Sequence, residues 1–236
     1  MRHMKYIFIF LISLLVSAPV YAQAVHVAVA ANFSVPLKEI AQAFQVKTGH
    51  EALVSVGSTG KLYTQIANGA PFDVFLAADQ KRPRLAEEKG LAVMGSRFTY
   101  AMGKLALYPA SSPDVLTQGD LVRLAVANPK TAPYGQAAVE TLQSLKLYVP
   151  LKDKLVYGEN IAQTYQFVAT QNVDVGFVAL SQVVDKPDKW IVPAHYYQPI
   201  AQDCVLVKDS PAARAFVDFL KGETARAIIT RYGYGG

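Results

Sequence analysis

The chain alternates short apolar runs with longer amphipathic stretches over most of its length. Strand-like runs rich in Val, Ala, Leu and Phe lie at 25–31, 52–56, 73–77, 104–108, 123–127, 154–157 and 174–178. Helix-length stretches lie between them, at 35–47, 61–68, 79–89, 135–146 and 161–170. Alternation of this kind is typical of parallel strands covered by helices. The pattern therefore predicts an α/β protein, with no low-complexity linker between its parts.

The first 22 residues have a different pattern, which is that of an export signal. Arg2 and Lys5 precede an apolar run at 6–16, and a small-residue cleavage site follows, which predicts a cut between Ala22 and Gln23. The apolar run is shorter than the roughly 20 residues that a membrane span needs. No cysteine stands at the cleavage point to carry a lipid anchor. We therefore expect residues 1–22 to be a signal peptide and the exported product to be soluble and periplasmic.

The length and the net charge of the chain narrow the range of possible functions. Removing 22 of the 236 residues leaves 214, and the order of the elements favours two α/β lobes over one core. The removed segment carries two basic residues, so the formal net charge falls from +5 to +3. Basic residues are scattered and aromatic residues do not interleave with them, which argues against nucleic-acid binding. The single cysteine, Cys204, lies in an apolar run, so we expect a buried thiol without a disulfide.

Four strands run into short turns that open helices, and these turns are rich in uncharged hydrogen-bond donors. The turns are Asn32-Phe33-Ser34, Gly57-Ser58-Thr59-Gly60, the segment 128–135 that ends in Pro133-Tyr134-Gly135, and Gly158-Glu159-Asn160 before Ile161. The first turn of a helix has unpaired backbone N–H groups and a partial positive charge. Several helix starts that converge on one cleft would bind an anion without any Lys or Arg. The turns therefore predict an oxyanion receptor.

The residues of these turns also have structural roles that compete with ligand binding. The amide of Asn32 would either cap its own helix or face a ligand. The ring of Tyr134 would serve packing alone, with the backbone N–H of Tyr134 or Gly135 as the free donor. Ile161 would contribute only its backbone N–H group. The turn around Ser58 is the strongest element, because two flanking glycines let the backbone approach a ligand closely.

A series of ordered motifs runs through essentially all of the chain after the signal peptide. The motifs are 27–33 (VAVAANF), 57–62 (GSTGKL), 69–80 (GAPFDVFLAADQ), 125–129 (AVANP), 133–135 (PYG), 176–178 (GFV), 219–222 (FLKG) and 231–233 (RYG). Together they resemble the motifs of the periplasmic molybdate-binding proteins of ABC uptake systems, and this resemblance has structural implications. It implies a type II periplasmic-binding fold, an α/β architecture of two lobes. Each lobe would contain a mixed, mostly parallel sheet flanked by helices, and two crossover strands would join the lobes.

The resemblance also implies a ligand, a site and a partner. The ligand would be molybdate, and tungstate as well, delivered to an inner-membrane ABC permease by a monomeric receptor without a cofactor. The ligand contacts would be Asn32, Ser58, Tyr134 and Ile161, with added backbone contacts from Ala31 and Thr59. Molybdenum would be held only as its oxyanion, without direct protein–metal ligands. Some relatives have a tyrosine hydroxyl where Ala179 stands here, and we expect the Asn32 amide to replace it in part.

The lobe boundaries follow from the two crossovers that such a hinge requires. The chain has to leave the first lobe and return to it. We place one lobe at 25–103 plus 203–236 and the other at 104–202.

Other functions remain open on the residues alone. Sulfate has the shape and charge of molybdate, so the turns do not separate the two oxyanions. A ferric-ion receptor would use adjacent tyrosines, and Tyr196 and Tyr197 follow His195. An esterase would use Ser58 as a nucleophile, but no motif ties a histidine (His26, His50 or His195) to it, so we expect no enzyme and no catalytic residue. A structural or adhesive protein would present an apolar patch and no ligand.

Overall fold

A computed structural model describes residues 22–235 of the chain. The predicted signal peptide lies outside the described residues, except for Ala22. No helix among residues 22–235 is long and apolar enough to cross a membrane.

The described chain forms two five-stranded sheets. The first has the order β2-β1-β3-β10-β4 and the second the order β7-β6-β8-β5-β9. The strands are β1 (Ala24–Ala30), β2 (Glu51–Gly57), β3 (Val74–Leu76), β4 (Phe98–Gly103), β5 (Leu105–Tyr108), β6 (Leu124–Ala127), β7 (Leu155–Gly158), β8 (Val175–Ala179), β9 (Trp190–Ile191) and β10 (Ile200–Leu206).

Each sheet combines two parallel and two antiparallel pairings. β1 pairs in parallel with β2 and β3, and β6 pairs in parallel with β7 and β8. The remaining pairings are antiparallel, made by β10 with β3 and β4 and by β5 with β8 and β9. The predicted mixed sheets are therefore confirmed, although the parallel pairings are not in the majority. The antiparallel share comes from β4, β5, β9 and β10, which lie where the chain crosses between the sheets.

Helices cover both faces of each sheet. They are α1 (Ser34–Thr48), α2 (Thr59–Ala67), α3 (Lys81–Glu88), α4 (Pro133–Ser144), α5 (Tyr148–Leu151), α6 (Ile161–Ala169), α7 (Pro211–Lys221) and α8 (Glu223–Arg231). On the first sheet, the apolar side chains of α1, α7 and α8 pack into one core and those of α2 into another. On the second sheet, α4 packs on one face and α6 on the other. Two helix-covered sheets give the predicted two-lobed α/β fold, and we call them the first and second lobes.

Local sequence explains the ends of several helices. α1 ends at Gly49, whose left-handed backbone (φ 76°) is the usual conformation after a helix. α7 begins after Ser210, whose hydroxyl accepts the N–H of Ala213, with Pro211 at the first helical position. The central strands β1 and β8 are mostly buried, because helices cover both faces of their sheets.

The topology places four helix starts at one cleft. The carboxyl ends of β1 and β2 lead into Asn32 and Ser58, and those of β6 and β7 lead toward Tyr134 and Ile161. Only Lys104 separates β4 of the first lobe from β5 of the second. The chain returns through β10, so both crossovers lie beside this cleft.

Candidate functional site

The six predicted site residues all line one cavity between the lobes. Ala31, Asn32, Ser58 and Thr59 come from the first lobe, and Tyr134 and Ile161 come from the second. Six further residues complete the wall: Ala30, Gly57, Ala78, Ala132, Pro133 and Asn160. The cavity is small, with an accessible volume of about 10 Å³, so it suits a single compact guest.

Ser58 carries the clearest sign of a missing partner. It stands at the N-cap of α2, where a serine hydroxyl usually accepts a backbone N–H, yet it makes no capping hydrogen bond. Its side chain is buried, at 3% exposure, and its Oγ has no hydrogen-bond partner among the described residues. A buried hydroxyl without a partner costs roughly 1–3 kcal/mol. The position is therefore prepared for a group that accepts a hydrogen bond inside the cavity.

Thr59 contributes differently from Ser58. Its hydroxyl accepts the N–H of Ala78 at 3.0 Å, so the side chain ties the start of α2 to the segment that follows β3. The backbone N–H of Thr59 lies in the first turn of α2 and has no intrahelical acceptor. This agrees with the backbone role expected of Thr59.

The helix starts of the second lobe each leave one N–H group free among the described residues. The side chain of Asn160 accepts the N–H groups of Ala162 and Gln163, at 2.9 and 3.0 Å. This cap leaves the N–H of Ile161 without an acceptor. At α4, the N–H groups of Gly135 and Gln136 bond to the carbonyl of Ala132.

The first helical residue of α4 is Pro133, which has no N–H, so the N–H of Tyr134 is the first donor of that helix. No acceptor for it lies among the described residues. Tyr134 and Ile161 therefore each present a backbone donor to the cavity wall that they line.

The Asn32 side chain is turned away from the role that the sequence suggested. Its Nδ2 donates to Gln202 Oε1 at 2.7 Å and to the hydroxyl of Tyr234 at 3.0 Å. Both amide hydrogens are therefore used within the protein, and what Asn32 offers to the cavity is its backbone. Whether the amide turns toward a bound anion stays a prediction.

The cavity wall is electrically neutral. None of the described residues that line it has a charged side chain. Glu159, the one carboxylate in the four turns, forms an ion pair with Lys61 of the opposite lobe, and both side chains are half exposed. A wall that offers hydrogen-bond donors and no carboxylate among the described residues suits a fully deprotonated anion. Such an anion, once buried, is stabilised by hydrogen bonds that replace those from water.

Below the cavity lies a buried network of polar side chains, which we call the floor network. Its members are Asn32, Tyr100, Tyr134, Ser181, Gln202 and Tyr234, all of them buried. The Tyr234 hydroxyl lies 2.7 Å from the carbonyl oxygen of Asn32 and 3.0 Å from Ser181 Oγ. Ser181 Oγ donates to the same carbonyl at 2.9 Å. No local pattern predicts this network, because its members are far apart in the chain.

Burial raises the pKa of the floor tyrosines. The pKa of Tyr100 and that of Tyr134 lie well above the usual 10.0, mainly because desolvation disfavours the phenolate. Desolvation likewise raises the pKa of Tyr234 to about 12, although hydrogen bonds from its neighbours partly oppose the shift. The network under the cavity therefore stays neutral over the physiological range.

These shifts predict a loss of stability at alkaline pH. Above pH 10 the unfolded chain releases tyrosine protons that the folded protein retains, so the free energy of unfolding falls until the folded pKa is reached. Tyr234 alone is expected to lower it by roughly 2–3 kcal/mol between pH 10 and about 12. Urea unfolding at pH 8 to 11.5 measures the effect, with Tyr234→Phe as the variant that lacks it. A folded protein whose tyrosines all ionise near pH 10 by absorbance would contradict the prediction.

Two seams join the lobes on either side of the cavity. In the seam made by α2, the N–H of Gly60 donates to the carbonyl of Thr131 at 2.9 Å, and Lys61 pairs with Glu159. In the other seam, Ser181 of the second lobe contacts Asn32 of the first. The structure is thus a closed form, in which the cavity lies between two bonded edges.

The Lys61–Glu159 pair is expected to contribute little to anion affinity. The two side chains are 51% and 52% exposed, and solvated ion pairs are worth about 0–1 kcal/mol. Lys61→Met should therefore weaken binding by less than about fivefold, and less still in high salt. Calorimetry at low and high salt checks this. A tenfold or larger loss would place Lys61 in the site itself.

The alternative chemistries find little support in the geometry. No cluster of three or more His, Cys, Asp or Glu that could hold a metal ion exists among residues 22–235. The Tyr197 hydroxyl accepts the backbone N–H of Leu105 at 3.1 Å, and His195 is exposed and lies against Tyr196. No histidine within residues 22–235 forms a hydrogen bond with the hydroxyl of Ser58. Cys204 is buried and free, and burial raises the pKa of its thiol.

Comparison with known proteins identifies the family to which the chain belongs. The family model described as "Bacterial extracellular solute-binding protein" matches residues 25–235. The chain belongs to this family of solute-binding proteins.

Two relatives of the same name are about half identical to this solute-binding protein. The chain is 51% identical to the molybdate-binding protein ModA of Azotobacter vinelandii, over 94% of this chain and 93% of the relative. It is 50% identical to the protein of the same name from Rhodobacter capsulatus, over 92% of this chain and 90% of the relative. The family predicted from the sequence motifs is therefore confirmed.

A solved structure agrees with the fold of the solute-binding protein. The periplasmic molybdate-binding protein of Azotobacter vinelandii aligns with a TM-score of 0.84 at 36% identity, covering 90% of this chain and 99% of that chain. The two-lobed fold predicted from the sequence is confirmed by this match.

Proposed function

We propose that this protein is a periplasmic receptor that captures molybdate in the cleft between its lobes and delivers it to an ABC permease. The observation that carries the proposal is the buried hydroxyl of Ser58, which has no partner among the described residues and lines a neutral cavity. Two relatives at 50–51% identity are named molybdate-binding proteins, which supports molybdate as the anion.

The chemistry of the wall supports a doubly charged, fully deprotonated oxyanion. Molybdate and tungstate keep no proton near neutral pH, so every ligand oxygen accepts a hydrogen bond. Phosphate retains a proton under these conditions and needs an acceptor such as a carboxylate. None of the described residues of the cavity wall carries a carboxylate, and Glu159 of the nearby turn pairs with Lys61 instead. Donors alone therefore favour molybdate and tungstate over phosphate.

Size separates molybdate from sulfate, which has the same shape and charge. The bonds from sulfur to oxygen are shorter than those from molybdenum. Donors fixed by backbone at helix starts cannot follow a smaller ion inward, so sulfate would leave some of them unpaired. We propose that the donors from Asn32, Ser58, Tyr134 and Ile161, with Ala31 and Thr59, are spaced for the larger oxyanion.

Capture proceeds by closure of the lobes. The first lobe would supply the donors of Ala31, Asn32, Ser58 and Thr59, and the second lobe those of Tyr134 and Ile161. A ligand drives closure only as far as it binds the closed form better than the open one. Donors divided between lobes supply that difference, and the permease would then recognise the closed form.

Calorimetry and thermal unfolding test the proposal together. Purified protein freed of anions is titrated with molybdate, tungstate, sulfate and phosphate, with chloride as the control. Molybdate and tungstate are expected to bind one ion per chain and to raise the unfolding temperature, since a ligand of the native state stabilises it by mass action. Sulfate should bind far more weakly. Tighter binding of sulfate than of molybdate would overturn the assignment.

A further inference from the structure

The crossover strand β10 carries two neighbouring polar residues, Gln202 and Asp203, that are completely buried. Their side chains point to opposite faces of the sheet, as neighbours on a strand do. The register between β10 and β4 shifts at this point, and the extra residue of the bulge lies on β4. Asp203 contacts Arg97, Thr99 and Gln80, whereas Gln202 enters the floor network.

Asp203 anchors the strand at this point. Its carboxylate accepts from Arg97 at 2.6 Å, from Thr99 at 2.7 Å and from Gln80 at 3.2 Å. Three donors on a buried carboxylate compensate for its lost hydration. The backbone next to Gln202 is therefore held in place.

Gln202 is in contact with a binding residue from each lobe. Its Oε1 accepts from Asn32 Nδ2 at 2.7 Å, and the Tyr100 hydroxyl lies 3.2 Å from the same oxygen. Its Nε2 donates to the Tyr134 hydroxyl at 3.4 Å. With its Oε1 toward Asn32, the amide of Gln202 places its NH₂ group toward Tyr134. Asn32 and Tyr134 are wall residues of the cavity from the first and the second lobe.

The strand opposite provides room for this amide. A Cβ atom at Gly103 of β4 would lie 2.8 Å from Gln202 Nε2 and 2.3 Å from the Tyr134 hydroxyl. The glycine therefore allows the two polar groups to meet at the crossover. At the hinge, β4 and β10 thus accommodate one hydrogen-bonded bridge, in which Gln202 links Asn32 to Tyr134.

We propose that Gln202 is a positioning residue that sets the separation of the two halves of the site in the closed form. This inference rests on the proposed function, because it concerns how tightly the same cleft holds its anion. Gln202 does not line the cavity; it acts through Asn32 on one side and Tyr134 on the other. Its loss should leave the first encounter with the anion unchanged and should destabilise the closed complex. The dissociation rate is then the quantity that rises.

The test is a double-mutant cycle on the full exported chain. Gln202→Leu, Tyr134→Phe and the double variant are compared with wild type, with Gln198→Leu as a matched control on the same crossover segment, where the side chain is exposed. Molybdate affinity is measured by calorimetry, and association and dissociation rates by stopped flow. Binding stoichiometry reports the folded fraction, so that misfolding is not taken for weak binding.

We expect Gln202→Leu to bind one molybdate per chain with at least tenfold weaker affinity, through faster dissociation. Tyr134→Phe should also weaken binding. The affinity of the double variant should be close to that of whichever single variant binds molybdate less tightly, because the two changes break the same bridge. Gln198→Leu should match wild type. Should Gln202→Leu fail to fold, Gln202→Asn keeps the amide but shortens its reach, and it should weaken binding in the same way.

Two outcomes would overturn the positioning role. One is an affinity of Gln202→Leu, or of Gln202→Asn in its place, within twofold of wild type. The other is a double variant whose loss equals the product of the single losses, which is the behaviour of independent sites. A wild-type protein that binds sulfate or phosphate but no molybdate contradicts the proposed function alone, and the same cycle with the bound anion then decides on Gln202. A wild type that binds none of the three contradicts both.

Discussion

Ser58→Ala is expected to weaken molybdate binding by about 10- to 100-fold. A hydrogen bond to a charged group contributes roughly 1.5–3 kcal/mol, and 1.4 kcal/mol corresponds to a factor of ten. The Ser58 hydroxyl is buried, lines the cavity and has no hydrogen-bond partner within the described part of the chain, so no neighbouring group there would replace its bond to the anion. Calorimetry with molybdate measures the loss.

The same substitution should have the opposite effect on the protein without its anion. Removing an unpaired buried hydroxyl removes its desolvation cost, so the unfolding temperature of anion-free Ser58→Ala should equal or exceed that of wild type. Ser55→Ala is the matched control, because Ser55 is exposed on the preceding strand β2. A large drop in stability with unchanged affinity would show that Ser58 serves the fold and not the ligand.

Gly103→Ala is expected to weaken molybdate binding at least tenfold and to lower the unfolding temperature. The added Cβ would lie 2.3 Å from the Tyr134 hydroxyl and 3.0 Å from Tyr134 Cζ, so the ring has to move. Overpacking of a close-packed interior costs roughly 1–3 kcal/mol. Because Tyr134 also lines the cavity, its displacement changes the site directly. Thermal unfolding with and without molybdate separates the two effects.

Gly119→Ala provides the control for Gly103→Ala. A Cβ atom at Gly119 would meet nothing within 4 Å, so this variant should match wild type in stability and affinity. If Gly103→Ala also matched wild type, the close approach of β4 to Tyr134 would not constrain the site.

The parts of the fold that were readable from sequence are those set by local pattern. The run predicted at 25–31 became β1 (Ala24–Ala30), and the helix predicted at 161–170 became α6 (Ile161–Ala169), because apolar runs and helix caps act over a few residues. The strands β4 and β10 were not predicted. Their sequences mix polar and apolar residues, since a crossover strand has side chains such as Gln202 and Asp203 buried among polar partners.

The site was readable to a similar degree. Helix starts after parallel strands led to the four turns that hold Asn32, Ser58, Tyr134 and Ile161, because the carboxyl ends of neighbouring strands meet at one edge of a sheet. The exact contact residues, with Ala31 and Thr59, came from the family resemblance. The direction of the Asn32 amide was not readable. It depends on Gln202 and Tyr234, which lie 170 and 202 residues further along the chain. The cap role of Asn160 was available from its position before α6, where asparagine is a preferred N-cap residue.

The two seams that flank the cavity have a consequence for the time that an ion stays bound. An ion surrounded by helix starts of both lobes cannot leave while Gly60 remains bonded to Thr131 and Ser181 to Asn32. Escape then requires the hinge to open, so every contact that the ion makes with either lobe in the closed form lengthens the lifetime of the complex by opposing that motion. A transporter that separates the two edges would unload its cargo without competing for it chemically.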